Sequence, residues 1–235
     1  MIEYNKVVLC DYNKLISETP DESVDMVFID PPYWTLNKWR NVGTTTRLGG
    51  NGDKNKQIGW FETISQDDLF YLMHDLYRVL KQDTHAFIMC DGQTLKYVLG
   101  YAEEAGYSYY KPIVWDKVLA GMGYHLRCQH EYVVMLDKGK NKMPKDRSIT
   151  DVIRIKMIRG GYPTEKPIAL PKLFIENYTD QNDVVMDCFC GSGSTALACL
   201  ETGRKFLTCD ISENAIEYAN KRIYDYEHRE KGLFE

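Results

Sequence analysis

Seven short apolar runs, spaced along 235 residues and separated by segments of helical period, constrain this chain more than any other feature. They fall at 7–10, 24–29, 86–90, 110–115, 132–136, 184–186 and 206–209. Apolar runs this short, alternating with helices, read as buried strands of βα units in a mostly parallel sheet. The clearest helix follows Ser65. Leu69, Leu72, Met73, Leu76, Val79 and Leu80 share one of its faces, and Ser65 with Asp68 forms a capping box. Further helices are expected at 94–105, 171–178, 195–202 and 213–227, with Gly106 and Gly203 at C-terminal caps and Ser212 at an N-cap.

Two stretches lack any period. Residues 34–64 contain GTTTRLGGNGDKNK, and residues 137–161 are basic and rich in turn formers. We expect one domain over 1–235 with irregular insertions at these two places, since long loops in a compact domain are commonly functional or disordered. The net charge of −5 argues at first against a polyanionic partner, but its distribution does not. Residues 137–172 hold ten Lys/Arg against four Asp/Glu, and residues 34–60 hold five against Asp53 alone. Such patches suit nucleic acid or are merely solvated loops, and charge alone leaves both readings open. At 44% hydrophobic and 27% charged residues, the chain is neither disordered nor fibrous. No run approaches the roughly 18 apolar residues of a membrane span. The opening MIEYNKVVLCDYN resembles no secretory signal, and seven cysteines without a C-x-x-C suit a reducing compartment. A cytoplasmic protein without a membrane partner is expected.

Two motifs carry chemistry. The first is Asp30-Pro31-Pro32-Tyr33, directly after the run VDMVFI. A carboxylate at the C-terminal end of a parallel strand stands where open α/β sheets place their ligands. Pro31 precedes another proline and is driven to an extended conformation, and neither proline donates a hydrogen bond. A carboxylate, a free carbonyl and the aromatic face of Tyr33 suit a planar group bearing an –NH2. An ordinary strand-ending turn capped by Asp30 fits the tetrad equally well.

The second motif is Asp187-Cys188-Phe189-Cys190-Gly191-Ser192-Gly193-Ser194-Thr195-Ala196, between a strand and a helix. Glycines there allow close backbone approach, and a helix N-terminus follows. Asp210 lies 19 residues after Gly191, where a carboxylate accepts ribose hydroxyls. The run also satisfies a dinucleotide fingerprint, but only 25 residues follow Asp210, too few for the strands of a sequential nicotinamide domain. His125, Cys128 and His130 form an H-x2-C-x-H cluster without a partner C-x-x-C, so no metal is expected.

Together, D-P-P-Y followed by D-x-F-x-G-x-G resembles the S-adenosylmethionine-dependent amino-methyltransferases of DNA, in the permuted β group that places the catalytic motif first. Matching segments include Cys10-Asp11, Tyr77-Arg78-Val79-Leu80-Lys81, Trp115-Asp116-Lys117, Arg127 with His130-Glu131-Tyr132, Tyr162 to Pro167, Gly203-Arg204 and Asp210-Ile211. Asp210 replaces the more usual Glu and has a shorter reach. The resemblance implies a Rossmann-like, mostly parallel seven-stranded methyltransferase sheet with helices on both faces and circularly permuted motif order.

It also implies roles. Asp30 and the Pro31 carbonyl would accept from the target amine, with Pro32 and Tyr33 completing the catalytic tetrad and Tyr33 stacking on the base. Phe189, Gly191, Ser192, Gly193 and Ser194 would surround the cofactor. Asp11 would lie near its adenine, Asp210 and Ile211 near its ribose, and Lys166 near its carboxylate end, while Asp187 braces the loop. The tetrad leans toward adenine N6. Cytosine N4, RNA adenine, a non-catalytic DNA-binding relative and a nicotinamide oxidoreductase are the alternatives. Glutamine side-chain methyltransferases begin the tetrad with Asn, and zinc deaminases require a P-C-x-x-C absent here.

DNA, double-stranded with the target base flipped out, is the expected partner. Trp34, Lys38, Trp39, Arg40 and Arg47 are candidates for clamping it. Lys138, Lys140, Lys142, Lys145, Arg147, Arg154 and Arg159 are candidates for phosphates or guanine edges. A homodimer is a further expectation from the family, and no restriction endonuclease partner is identified.

Overall fold

Each central strand feeds two separate cores, which is why its sequence reads as an unbroken apolar run. In the computed structural model, Val27 and Ile29 pack with Ala86 and Ile88 on one face of the sheet, and Met26 and Phe28 with Phe87 and Met89 on the other. The structure describes residues 3–39, 62–121, 125–140, 142–162 and 164–231.

The chain runs through β1 (Val7–Leu9), α1 (Tyr12–Glu18), β2 (Val24–Ile29), a 3-10 helix (Trp34–Trp39), α2 (Gln66–Val79) and β3 (Leu80–Cys90). It continues with α3 (Leu95–Ala105), β4 (Tyr109–Asp116), β5 (His130–Lys138), β6 (Val152–Arg154) and α4 (Ala169–Tyr178). β7 (Val184–Asp187), α5 (Ser194–Thr202), β8 (Lys205–Asp210) and α6 (Glu213–Lys231) complete it. Leu15, Leu69, Leu72, Leu76 and Val98 bring α1 to α3 onto the first core, and Phe174, Ile175, Cys199 and Ile223 bring α4 to α6 onto the second.

The sheet order is β1-β8-β7-β2-β3-β5-β4-β6. Among the described strands, only β5 runs against its neighbours. The expected α/β sheet with helices on both faces is therefore found, with one correction: among the described residues it has eight strands, not seven. β6 lies within 137–161, a stretch read as aperiodic, because three residues with exposed flanks carry no alternation. The short helix α1 was also not expected. It is capped by Asp11, whose carboxylate accepts from Asn13 N–H, and seven residues show too little period to be recognised.

The Ser65 capping box forms as expected. Ser65 Oγ accepts from Asp68 N–H at 3.0 Å, and Asp68 Oδ2 accepts from Ser65 N–H at 2.8 Å. Gly106 and Gly203 cap α3 and α5 in the left-handed region. No helix among the described residues is long and apolar enough to cross a membrane.

β2 and β7 hold the centre. They pair through Met26 with Val185 and Val27 with Met186, so segments at opposite ends of the chain end side by side at one edge of the sheet. The two sequence motifs emerge from these neighbouring strand ends.

Candidate active site

Asp30 follows the last residue of β2, and its side chain keeps 36% of its surface open. The turn after it is tightly tied. The Pro32 carbonyl accepts from Ile64 N–H at 2.8 Å and the Tyr33 carbonyl from Leu36 N–H at 3.0 Å. Tyr33 is only 4% exposed, and its hydroxyl donates to the Met89 carbonyl at 2.7 Å. The half-buried Trp34 stands edge-on to it and to Tyr97. Trp34, Thr35, Gly92, Gln93, Lys96 and Tyr97 line a cavity of about 400 Å³ beside the tetrad.

The glycine loop leaves β7 next door. Asp187 Oδ1 accepts from Phe189 N–H at 3.1 Å, and Gly193 N–H donates to the Cys190 carbonyl at 2.9 Å. Gly193 has φ +77°, and a Cβ there would lie 2.9 Å from the Ala219 Cβ on α6. Only glycine lets the loop lie against that helix.

Asp210, at the end of β8, accepts from Gly191 N–H through Oδ2 and from Ser212 N–H through Oδ1, both at 2.9 Å. β1 pairs beside β8, which brings Asp11 to the same edge, and the Tyr12 ring packs on Phe189 at 5.1 Å. Ile211 is exposed. Burial pushes the Asp187 carboxyl up to about 7, against hydrogen bonds from Thr195 and Phe189.

Lys166 stands between the motifs. Its ammonium donates to Asp30 Oδ2 and lies 3.7 Å from Glu131 Oε2, while Lys117 Nζ lies 3.0 Å from Glu131 Oε1. These four side chains form a line of alternating charge drawn from the ends of β2, β4 and β5 and from the segment before α4. Burial raises the Asp30 carboxyl above its ordinary value, opposed by the Lys166 ammonium. Burial would raise Glu131 too, but Lys166 and Lys117 outweigh it and hold that carboxyl below its ordinary value. Burial likewise works to lower Lys166, and Asp30 with Glu131 overcome it and raise it.

The same segment is locked to the glycine loop. Ser194 Oγ donates to the Lys166 carbonyl at 2.7 Å. Arg222 of α6 bonds the Ser192 carbonyl at 2.7 Å and Glu165 at 3.1 Å.

Glu131, Lys117 and Arg222 had no assigned role in the sequence. The first two stood in matched segments, but nothing in their spacing announced that both would meet Lys166. Among the basic candidates, Lys142, Arg147, Arg154 and Arg159 are exposed. Lys138 is a correction: it is buried at 3% exposure and donates to the Tyr77 and Leu80 carbonyls, so it caps the end of α2 and meets no phosphate. Lys145 is engaged by the Thr179 carbonyl and Asp180. Lys38 and Trp39 lie in the 3-10 helix, and Arg40 and Arg47 fall outside the described residues.

A mostly parallel sheet with one reversed strand, carrying a carboxylate tetrad beside a glycine loop, defines a Rossmann-like methyltransferase. Residues 24–221 match the N6/N4 methyltransferase family described as DNA methylase, and the chain belongs to that family. The resemblance read from the sequence is thereby borne out. The type II methyltransferase M.HhaII of Haemophilus parahaemolyticus is 28% identical over 213 residues, covering 88% of this chain and 90% of that protein. The solved M1.HpyAVI–SAM complex superimposes with a TM-score of 0.68 at 21% identity, over 92% of this chain and 98% of that one. The cytosine-N4-specific PvuII DNA methyltransferase also gives 0.68, at 14% identity over 94% and 86%.

Proposed function

We propose that this protein transfers a methyl group from S-adenosylmethionine to the exocyclic N6 amine of adenine in DNA. The observation that carries the reading is the pairing of β2 with β7, which sets Asp30 next to the glycine loop.

The residues present suit that cofactor. The loop Phe189–Ser194 is held against α6 at Gly193, where a Cβ would meet Ala219 at 2.9 Å. At Gly191 a Cβ would meet nothing nearer than the Phe189 carbonyl at 3.9 Å, so the backbone there is open to close approach by a ligand. The Asp210 oxygens, each fixed by one backbone N–H, retain a lone pair for a ribose hydroxyl. Asp11, next in sequence to Tyr12 of the Tyr12–Phe189 pair, would face the cofactor's adenine. When bound, the cofactor supplies an electrophilic methyl on a sulfonium.

The remaining work belongs to the chain. An aromatic amine is a poor nucleophile because its lone pair is delocalised into the ring. Acceptors fixed on its N–H bonds favour a pyramidal nitrogen with an available lone pair, and preorganisation of this kind lowers the barrier without a covalent enzyme intermediate. Lys166 engages Oδ2 of Asp30, and Oδ1 is the oxygen offered to the amine. The Pro31 carbonyl is the second acceptor. The raised Asp30 carboxyl suits it to take the proton that the amine sheds.

The target must leave the duplex stack to reach Asp30, and an aromatic face offsets part of that cost. With Tyr33 buried, Trp34 at the neighbouring cavity is the ring we assign to the extruded base. Lys142, Arg147, Arg154 and Arg159 form the basic surface we assign to the DNA backbone. Adenine is favoured over cytosine by Asp30 at the head of the tetrad, since cytosine-N4 enzymes of this family more often begin it with Ser.

Methyl-labelled cofactor and unmethylated duplex DNA, followed by nucleoside analysis, test the reading. Label in N6-methyldeoxyadenosine is expected. Label in N4-methyldeoxycytidine would move the target to cytosine, and DNA without label would overturn the reading.

A further inference from the structure

The carboxylate offered to the target is already neutralised by Lys166, in a pocket that must also admit a sulfonium cation. Beyond Lys166 stand Glu131 and then Lys117, with side chains 31% and 11% exposed. Lys166 and Lys117 are the largely buried members, and a buried ammonium is weak evidence for stability, because apolar replacements of similar volume are often as stable or more so. Two largely buried ammonium groups interleaved with two part-exposed carboxylates call for a functional reason.

Counting charge supplies one. Asp30 and Glu131 are negative, Lys166 and Lys117 positive, so the line is neutral as a whole. Without Glu131, two ammonium groups would face one carboxylate, and the line would carry a net positive charge beside the place where a cation must sit. We infer that Glu131 is the charge-balancing residue of this site, cancelling Lys117 and Lys166 so that the pocket accepts a sulfonium beside Asp30. The inference rests on the methyl-transfer reading and deepens it. Glu131 acts through the two lysines and is a positioning residue, not a catalytic one.

S-adenosylmethionine and S-adenosylhomocysteine differ by the methyl group and the sulfonium charge, so the change between variants in the ratio of their dissociation constants reports that charge. Asp11, Asp187 and Asp210 are common to every variant and cancel in the comparison. Calorimetric titration of the full chain with each ligand is the experiment. Glu131→Gln should weaken S-adenosylmethionine by roughly tenfold relative to S-adenosylhomocysteine, the scale of one unit charge at an effective interior dielectric of about 20. Lys117→Met should shift the ratio the opposite way. The double variant Glu131→Gln with Lys117→Met restores neutrality and should return the ratio to the wild-type value.

Shifts of opposite sign that cancel in the double variant are not produced by a merely structural role. Equal weakening of both ligands in Glu131→Gln, or no shift in any variant, overturns the inference while leaving the methyl-transfer reading intact. Should Glu131→Gln fail to fold, the comparison of Lys117→Met with the double variant decides, and equal ratios in those two overturn it. A wild-type chain that binds neither ligand overturns the methyl-transfer reading and this inference with it.

Discussion

Lys166 and Asp30 meet in an ion pair across 136 positions of the chain, and the pair joins the segment before α4 to the end of β2. The ammonium engages one carboxylate oxygen, Oδ2. It also opposes the effect of burial, which raises the Asp30 carboxyl.

Removing that ammonium therefore has a defined sign. In Lys166→Met the Asp30 carboxyl rises further, so it is protonated at higher pH and accepts less well from the amine. The acidic limb of the kcat/KM profile should move to higher pH, with activity recovering above the new limb. A limb at the wild-type position would contradict the electrostatic role.

The two loop glycines should differ in cost. Gly193 combines φ +77° with a Cβ position 2.9 Å from Ala219, whereas a Cβ at Gly191, φ +49°, has its nearest neighbour at 3.9 Å. Gly191→Ala should lose about 1–2 kcal/mol from left-handed backbone alone, and Gly193→Ala clearly more. Denaturant unfolding measures both, and equal losses would contradict the close approach of α6.

Asp187 makes stability depend on pH. Its carboxyl rises from 3.8 to about 7 on folding, so between these values the folded chain binds the proton more tightly than the unfolded one. Its contribution to stability therefore falls as pH rises through that window, the reverse of a salt-bridged carboxylate. Asp187→Asn removes the titration and keeps an acceptor for Phe189 N–H. Relative to wild type, the variant should gain on the order of a few kcal/mol between about pH 4 and about pH 7. Unfolding midpoints with parallel pH dependence would contradict the buried position.

Much of this architecture was legible because burial on both faces leaves unmistakable apolar runs. β2 was readable to the residue for that reason. β3 and β5 were read short, as 86–90 and 132–136, because their outer ends carry His85 and Asp137. These two face each other across the strands with Nδ1 2.7 Å from Oδ1, almost fully buried. Polar side chains at those positions look solvent-facing in sequence, and only the partner strand shows that each buries the other. The site divides the same way. Asp30 and the glycine loop were visible because strand-end chemistry has local signatures. Glu131 and Lys117 were not, since their meaning lies in Lys166, brought to them by the fold. Lys138 was misread for a related reason: a lysine in a basic run looks like a phosphate ligand until the end of α2 is found beneath it.

The central claim is that the Asp30 carboxylate works on an amine presented beside the glycine loop. Asp30→Ala tests it most directly, with methyl transfer to duplex DNA measured beside affinity for S-adenosylhomocysteine, which reports an intact pocket without the sulfonium charge. Transfer should fall by on the order of 100-fold or more while that affinity stays near wild type. Turnover within a few-fold of wild type would contradict the account.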